Sequence, residues 1–164
     1  MLDDEQGQFD EITKAMCHDI SAAIRGEANY LAALGLLEYS EILGGWVRGT
    51  MGKPKQGKEN FDEFYKVLST VNTAYGGLKE ELKNKLRHLD EKWRTVYSAV
   101  RSGLSHYYFM QAKSTIVNNP DDSEGEMIYD PPCGLYFRGE FLIMNTNQYF
   151  HDFRLAIAKL SSEG

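Results

Sequence analysis

The sequence predicts a mainly α-helical single domain, a bundle of about five to six helices with a small β-hairpin before the last helix. Three observations lead there. Apolar residues recur at threes and fours through most of the first hundred positions, the spacing that gathers them on one face of a helix. Only four prolines interrupt 164 residues, which permits long helices. One short stretch, residues 135–144, changes to a run of β-formers. The length, 18.7 kDa in mass, fits one domain over 1–164 and is enough to bury a core without disulfides or a structural metal.

In chain order, Phe9, Ile12, Met16, Ile20, Ala23 and Ile24 form the apolar stripe of a first helix, which Gly26 interrupts. A second helix covers 27–43 with Leu31, Leu34, Leu37 and Ile42, and Ala28, Ala32, Ala33 and Gly35 allow close helix packing. Gly44-Gly45 is expected to end it, because glycine takes the left-handed cap conformation cheaply. Residues 45–58 read as a loop. Asn60 is the expected N-cap of a third helix carrying Phe61, Phe64, Tyr65, Leu68 and Val71, with Gly76-Gly77 as its stop. Leu78, Leu82, Leu86 and Leu89 mark the seam of an exposed fourth helix among alternating Lys and Glu. Asp90 either continues that helix or caps another bearing Trp93, Val96, Tyr97, Val100 and Leu104. Residues 118–134 form an acidic loop holding Asp121, Asp122, Glu124, Glu126 and Asp130. Leu135-Tyr136-Phe137 and Glu140 to Met144 then flank Arg138-Gly139 as the hairpin. The last helix, capped by Asn145, Thr146 or Asn147, carries Tyr149, Phe150, Phe153, Ile157 and Leu160.

The net charge of −6 excludes a uniformly basic nucleic-acid coat and leaves any phosphate site local. The most basic segment is 45–58, where Arg48, Lys53, Lys55 and Lys58 stand without an acidic residue. They are the candidate RNA-binding residues, since such side chains neutralise backbone phosphates without reading sequence. Gly52 to Lys58 also matches the first part of a Walker loop. Glu59 stands where a magnesium-binding Ser or Thr belongs, and the segment follows a helix instead of a strand, so a nucleotide P-loop is rejected.

Cys17 and Cys133 lie far apart with no His at ligand spacing, so both thiols are read as free and neither a metal nor a cofactor is expected. The acidic start, Met1-Leu2-Asp3-Asp4-Glu5, is unlike a targeting peptide, and a cytoplasmic location is expected. The longest apolar run, Tyr30 to Leu37, is less than half of the roughly 20 residues a bilayer requires, so no membrane partner is expected. His18-Asp19 and His151-Asp152 put an imidazole beside a carboxylate, but adjacent helical positions diverge by about 100°, and both pairs read as surface residues.

Arg101 to Phe109 differs. On a straight helix Arg101 and His106 would lie about 140° apart with about 7.5 Å of rise and would not touch. A relaxed helix at Gly103, or two copies meeting across a twofold axis, would bring both residue types into one cleft. An imidazole moves protons near neutral pH and a guanidinium holds a phosphate bidentately, so the pair suits RNA cleavage with the ribose 2′-hydroxyl as nucleophile.

Arg, four residues, His, one residue and Tyr, here Arg101, His106 and Tyr108, resembles the signature of the HEPN superfamily, all-helical and often dimeric metal-independent ribonucleases. The resemblance implies that Arg101 and His106 are the catalytic pair, supported by Ser102, which stands where relatives often carry Asn, and by Tyr108. Tyr108 matches the tyrosine that a nucleotidyltransferase antitoxin modifies in HepT-type toxins. The expected function is therefore a metal-independent endoribonuclease, with a homodimer, RNA and a nucleotidyltransferase-type antitoxin as expected partners. The alternative is a catalytically inactive helical interaction module or toxin/antitoxin-type subunit that docks through Tyr107, Tyr108 and Phe109.

Overall fold

A computed structural model describes residues 3–102, 114–117 and 131–163. Among them are five α-helices: α1 (Asp3–Arg25), α2 (Asn29–Val47), α3 (Gly57–Val71), α4 (Ala74–Lys85) and α5 (Thr146–Glu163). Three strands, β1 (Ser114–Val117), β2 (Leu135–Arg138) and β3 (Phe141–Asn145), precede α5. The mainly α fold with a hairpin before the last helix is as the sequence predicts.

Helix α2 is the centre. It packs against α1, α3, α5 and β1, which explains why its sequence is apolar nearly all round instead of striped. Leu36, Leu37 and Leu43 meet Phe9, Met16 and Ile20 of α1, Phe61, Phe64 and Leu68 of α3, and Tyr149 and Phe153 of α5 in one buried cluster. The expected apolar face of α2 needs two corrections: Leu31 is 62% exposed, with Ala32 and Ala33 taking the buried positions beside it, and Ile42 is 39% exposed, with Leu43 buried in its place.

Gly44-Gly45 does not end α2. The helix continues to Val47, and a Cβ on Gly44 would sit 1.7 Å from the Asn60 carbonyl oxygen. The glycines are there because the backbones of α2 and α3 touch. Asn60 is accordingly a buried residue inside the first turns of α3, whose N-cap is Gln56. Nor does Gly76-Gly77 stop α3, which ends at Val71; that pair lies in the first turn of α4.

After α4 the chain follows neither alternative cleanly. Asp90 caps a short 3-10 turn, Glu91–Trp93, and a π-helical turn follows at Tyr97–Ser102. Arg94 turns back across the break, donating from Nε and Nη2 to the Leu89 carbonyl and from Nη2 to that of Arg87.

The hairpin is one edge of a three-stranded sheet, ordered β1-β3-β2, with β1 parallel to β3 in register Ser114↔Leu142 and β2 antiparallel in register Leu135↔Met144. Its turn is Gly139-Glu140, one residue later than expected, with Gly139 at φ 62, the left-handed value that two-residue hairpin turns favour. Asn145 caps α5, its side chain accepting from the Gln148 amide at 2.9 Å. The acidic loop, apart from its last residues, lies outside the described residues.

Candidate functional site

The π-helical turn presents Arg101 to α2. Its Nε donates to Glu41 Oε2 at 2.9 Å, and its Nη2 donates to Glu38 Oε2 at 2.7 Å. Glu38 and Glu41 are the only charged residues in α2 and stand one turn apart on the same face. The Arg101 side chain is 11% exposed, against 38% and 23% for Glu38 and Glu41. Its Nη1 makes no hydrogen bond to a described residue.

The surroundings hold this group in place. The guanidinium carbon lies 6.0 Å from the centre of the Tyr97 ring, which itself meets Phe61 edge-on at 5.8 Å. Burial, and then the Glu41 charge, push the Tyr97 phenol above its ordinary pKa. Helix α3 begins against the same cluster at Gly57, where a Cβ would stand 2.6 Å from Glu41 Oε1 and 2.9 Å from Tyr97 Oη. A side chain there would have to displace the ends of Glu41 and Tyr97.

Of the other predicted site residues, Ser102 ends the π-helical turn. His106, Tyr107, Tyr108 and Phe109 lie outside the described residues, as does Leu104 of the expected helix. The basic segment is divided. Arg48 donates from Nη1 to Asn60 Oδ1 at 2.6 Å and to Gln56 Oε1 at 3.2 Å, and Lys58, in the first turn of α3, pairs with Asp62. Both line a groove of about 710 Å³ along α3 and α4. Lys53 and Lys55 are exposed and line a separate pocket of about 360 Å³ beside Glu41.

Sequence reasoning missed Glu38 and Glu41, whose signal was two acids one turn apart in an otherwise uncharged helix. It also missed Asp152. His18, Asp19 and His151 are exposed as expected, although His18 and Asp19 approach to 3.6 Å. Asp152, in contrast, is buried. It accepts hydrogen bonds from Tyr75 Oη at 2.9 Å, Gln148 Nε2 at 3.0 Å and Asn72 Nδ2 at 3.3 Å. Tyr75 Oη also accepts from the Gly134 amide, so one buried network ties α4, the segment before β2 and α5.

Cys17 and Cys133 are free thiols, and Cys133 is buried. No described helix is long and apolar enough to cross a membrane. The chain matches no known protein family, no curated protein and no solved structure.

Proposed function

We propose that this chain is a HEPN-like ribonuclease domain of the cytoplasm that cleaves single-stranded RNA through the ribose 2′-hydroxyl. The observation that carries the reading is the state of Arg101: fixed by two carboxylates and a ring, on a π-helical turn of the kind frequent at functional sites, with Nη1 bonded to none of the described residues. In the proposed step His106 takes the 2′-hydroxyl proton and the 2′-oxygen attacks phosphorus. The bond from phosphorus to the 5′-oxygen breaks, and that oxygen takes a proton from the protonated His106 of the second copy in the homodimer. The products are a 2′,3′-cyclic phosphate and a 5′-hydroxyl, and Arg101 offsets the charge on the phosphate oxygens.

Glu38 and Glu41 leave the Arg101 cluster with one more negative than positive charge, so a single cluster is a poor phosphate site. Protonated His106 and a second copy across a homodimer supply the missing positive charge in this reading. Ser102 and Tyr108 support the site, Lys53 and Lys55 add to phosphate attraction, and Tyr108 is the point at which a nucleotidyltransferase-type antitoxin would silence it. The free thiols of Cys17 and Cys133 suit a reducing compartment.

The test is cleavage of single-stranded RNA by wild type, His106→Ala and Arg101→Lys. Loss of cleavage in the first and a sharp drop in the second, with thermal midpoints near wild type, supports the reading; equal cleavage by all three refutes it. A second reading has one observation in its favour. The same two carboxylates compensate Arg101 fully, which is what a structural cation needs, and the chain is then an inactive interaction module or toxin/antitoxin-type subunit.

A further inference from the structure

The groove along α3 and α4 is a positively charged face on an acidic chain. Six cations line it: Arg48 before α3, Lys58 and Lys66 on α3, Lys79 and Lys83 on α4, and Arg94 after the 3-10 turn. Three carboxylates share the lining, so the groove is net positive while the chain carries −6. Folding gathers these charges from four stretches of sequence, and only Arg48 and Lys58 belong to the basic segment.

Three of the six are not neutralised. Lys58, Lys66 and Lys83 pair with Asp62, Glu63 and Glu80. Among the described residues, the guanidinium of Arg48 meets only amide oxygens, that of Arg94 meets only backbone carbonyls, and Lys79 has no ion pair. Their charge is available to a ligand.

We infer that this groove holds the sugar-phosphate backbone of single-stranded RNA. The inference deepens the ribonuclease reading by giving its substrate a track, and rests on it for choosing RNA among polyanions. The shape supports a chain of phosphates over a single one. Lys58 and Lys66 are eight residues apart on one helix, about 12 Å along its axis, and Lys79 and Lys83 about 6 Å, so the cations form a line and do not converge on a point.

Among the described residues the groove offers no free aromatic face. Tyr65, its one aromatic residue, donates its hydroxyl to the Tyr75 carbonyl and stacks on Phe61 at 6.2 Å. Contacts therefore go to phosphates, and binding is tolerant of sequence and of the 2′-hydroxyl. A single-stranded DNA binds there too, although it lacks the nucleophile for cleavage.

The experiment measures binding of short fluorescent oligouridylate and oligothymidylate to the full chain carrying His106→Ala, over a range of salt. Neutralising Arg48, Lys79 and Arg94 together to Gln, the three groove cations without a carboxylate partner among the described residues, should weaken both about tenfold and lower the salt slope by about two. Lys14→Gln, Arg25→Gln and Lys159→Gln together change the net charge equally outside the groove and should leave affinity within about twofold. If the groove triple does not fold, Lys79→Gln alone, which breaks no ion pair, should still lower the slope by about 0.7. Unchanged affinity and slope in the groove variant, or an equal loss in the control, overturns the inference, as does a chain that binds neither oligonucleotide. Cleavage is scored separately in His106-containing protein. Groove-dependent binding without cleavage sinks the ribonuclease reading alone, and cleavage with groove-independent binding sinks the track alone.

Discussion

Arg101 and Glu41, sixty residues apart in sequence, are joined by a 2.9 Å hydrogen bond from Nε to Oε2, and Glu38 completes the grip from one turn away. Removing one partner of a buried ion pair costs about 3–5 kcal/mol. Glu38 and Glu41 keep contact with solvent, which reduces the expected loss for Arg101→Ala to about 2 kcal/mol. Denaturant unfolding should show that loss, and a wild-type midpoint would mean that the pair contributes nothing. Arg101→Ala thus mixes stability with chemistry, which is why Arg101→Lys is the better probe of cleavage.

The contact of α2 with α3 makes a second prediction. Gly44→Ala puts a methyl group into the Asn60 backbone and should destabilise by more than about 3 kcal/mol or prevent folding. Gly7→Ala, at an exposed position inside α1 with nothing within 4 Å, should stabilise by about 0.5–1 kcal/mol. Thermal midpoints moving in the same direction for both would contradict the packing described.

A third prediction concerns Asp152. Asp152→Ala strips the acceptor from Tyr75, Gln148 and Asn72 and should cost about 3 kcal/mol, whereas Tyr75→Phe should cost about 1–2 kcal/mol. The shift in midpoint for the alanine variant is then about 6–12 °C. Equal, small shifts in both would show that the network is not held dry.

Alkaline pH should unfold the chain earlier than its size implies. Burial pushes the Cys133 thiol up from 9.0 to about 11, burial and then the Asp152 charge raise the Tyr75 phenol, and burial raises that of Tyr149. The native state keeps protons that the unfolded chain has released, so stability falls as pH rises. The contribution of Cys133 is fully present below about pH 9 and is lost as pH climbs through about 11. Chemical unfolding repeated across that window should show a falling midpoint, and a flat one would refute the shift.

How far the sequence could be read depends on the range of the interaction. The stripe Phe9, Met16, Ile20 and the run Phe61, Phe64, Leu68 were legible because a helix face repeats locally, and all six are buried. Gly44 was misread because a close backbone approach and a helix stop ask for the same residue, and only the partner helix distinguishes them. Strand β1 carries only four residues, Ser114-Thr-Ile-Val, and exists through its parallel pairing with β3, a contact that no local pattern announces. The candidate site divides in the same way. Arg101 belongs to a local motif, whereas Glu38, Glu41 and the lysines of the groove meet only when α2, α3 and α4 are assembled.

The central claim, cleavage of RNA by its own 2′-hydroxyl, is tested most directly by the ends of the fragments. Single-stranded RNA incubated with the wild-type chain in excess chelator and analysed by mass spectrometry should yield 2′,3′-cyclic phosphate and 5′-hydroxyl ends, and none with His106→Ala. Fragments bearing 5′-phosphate, cleavage that persists in His106→Ala, or intact RNA in every sample would contradict it.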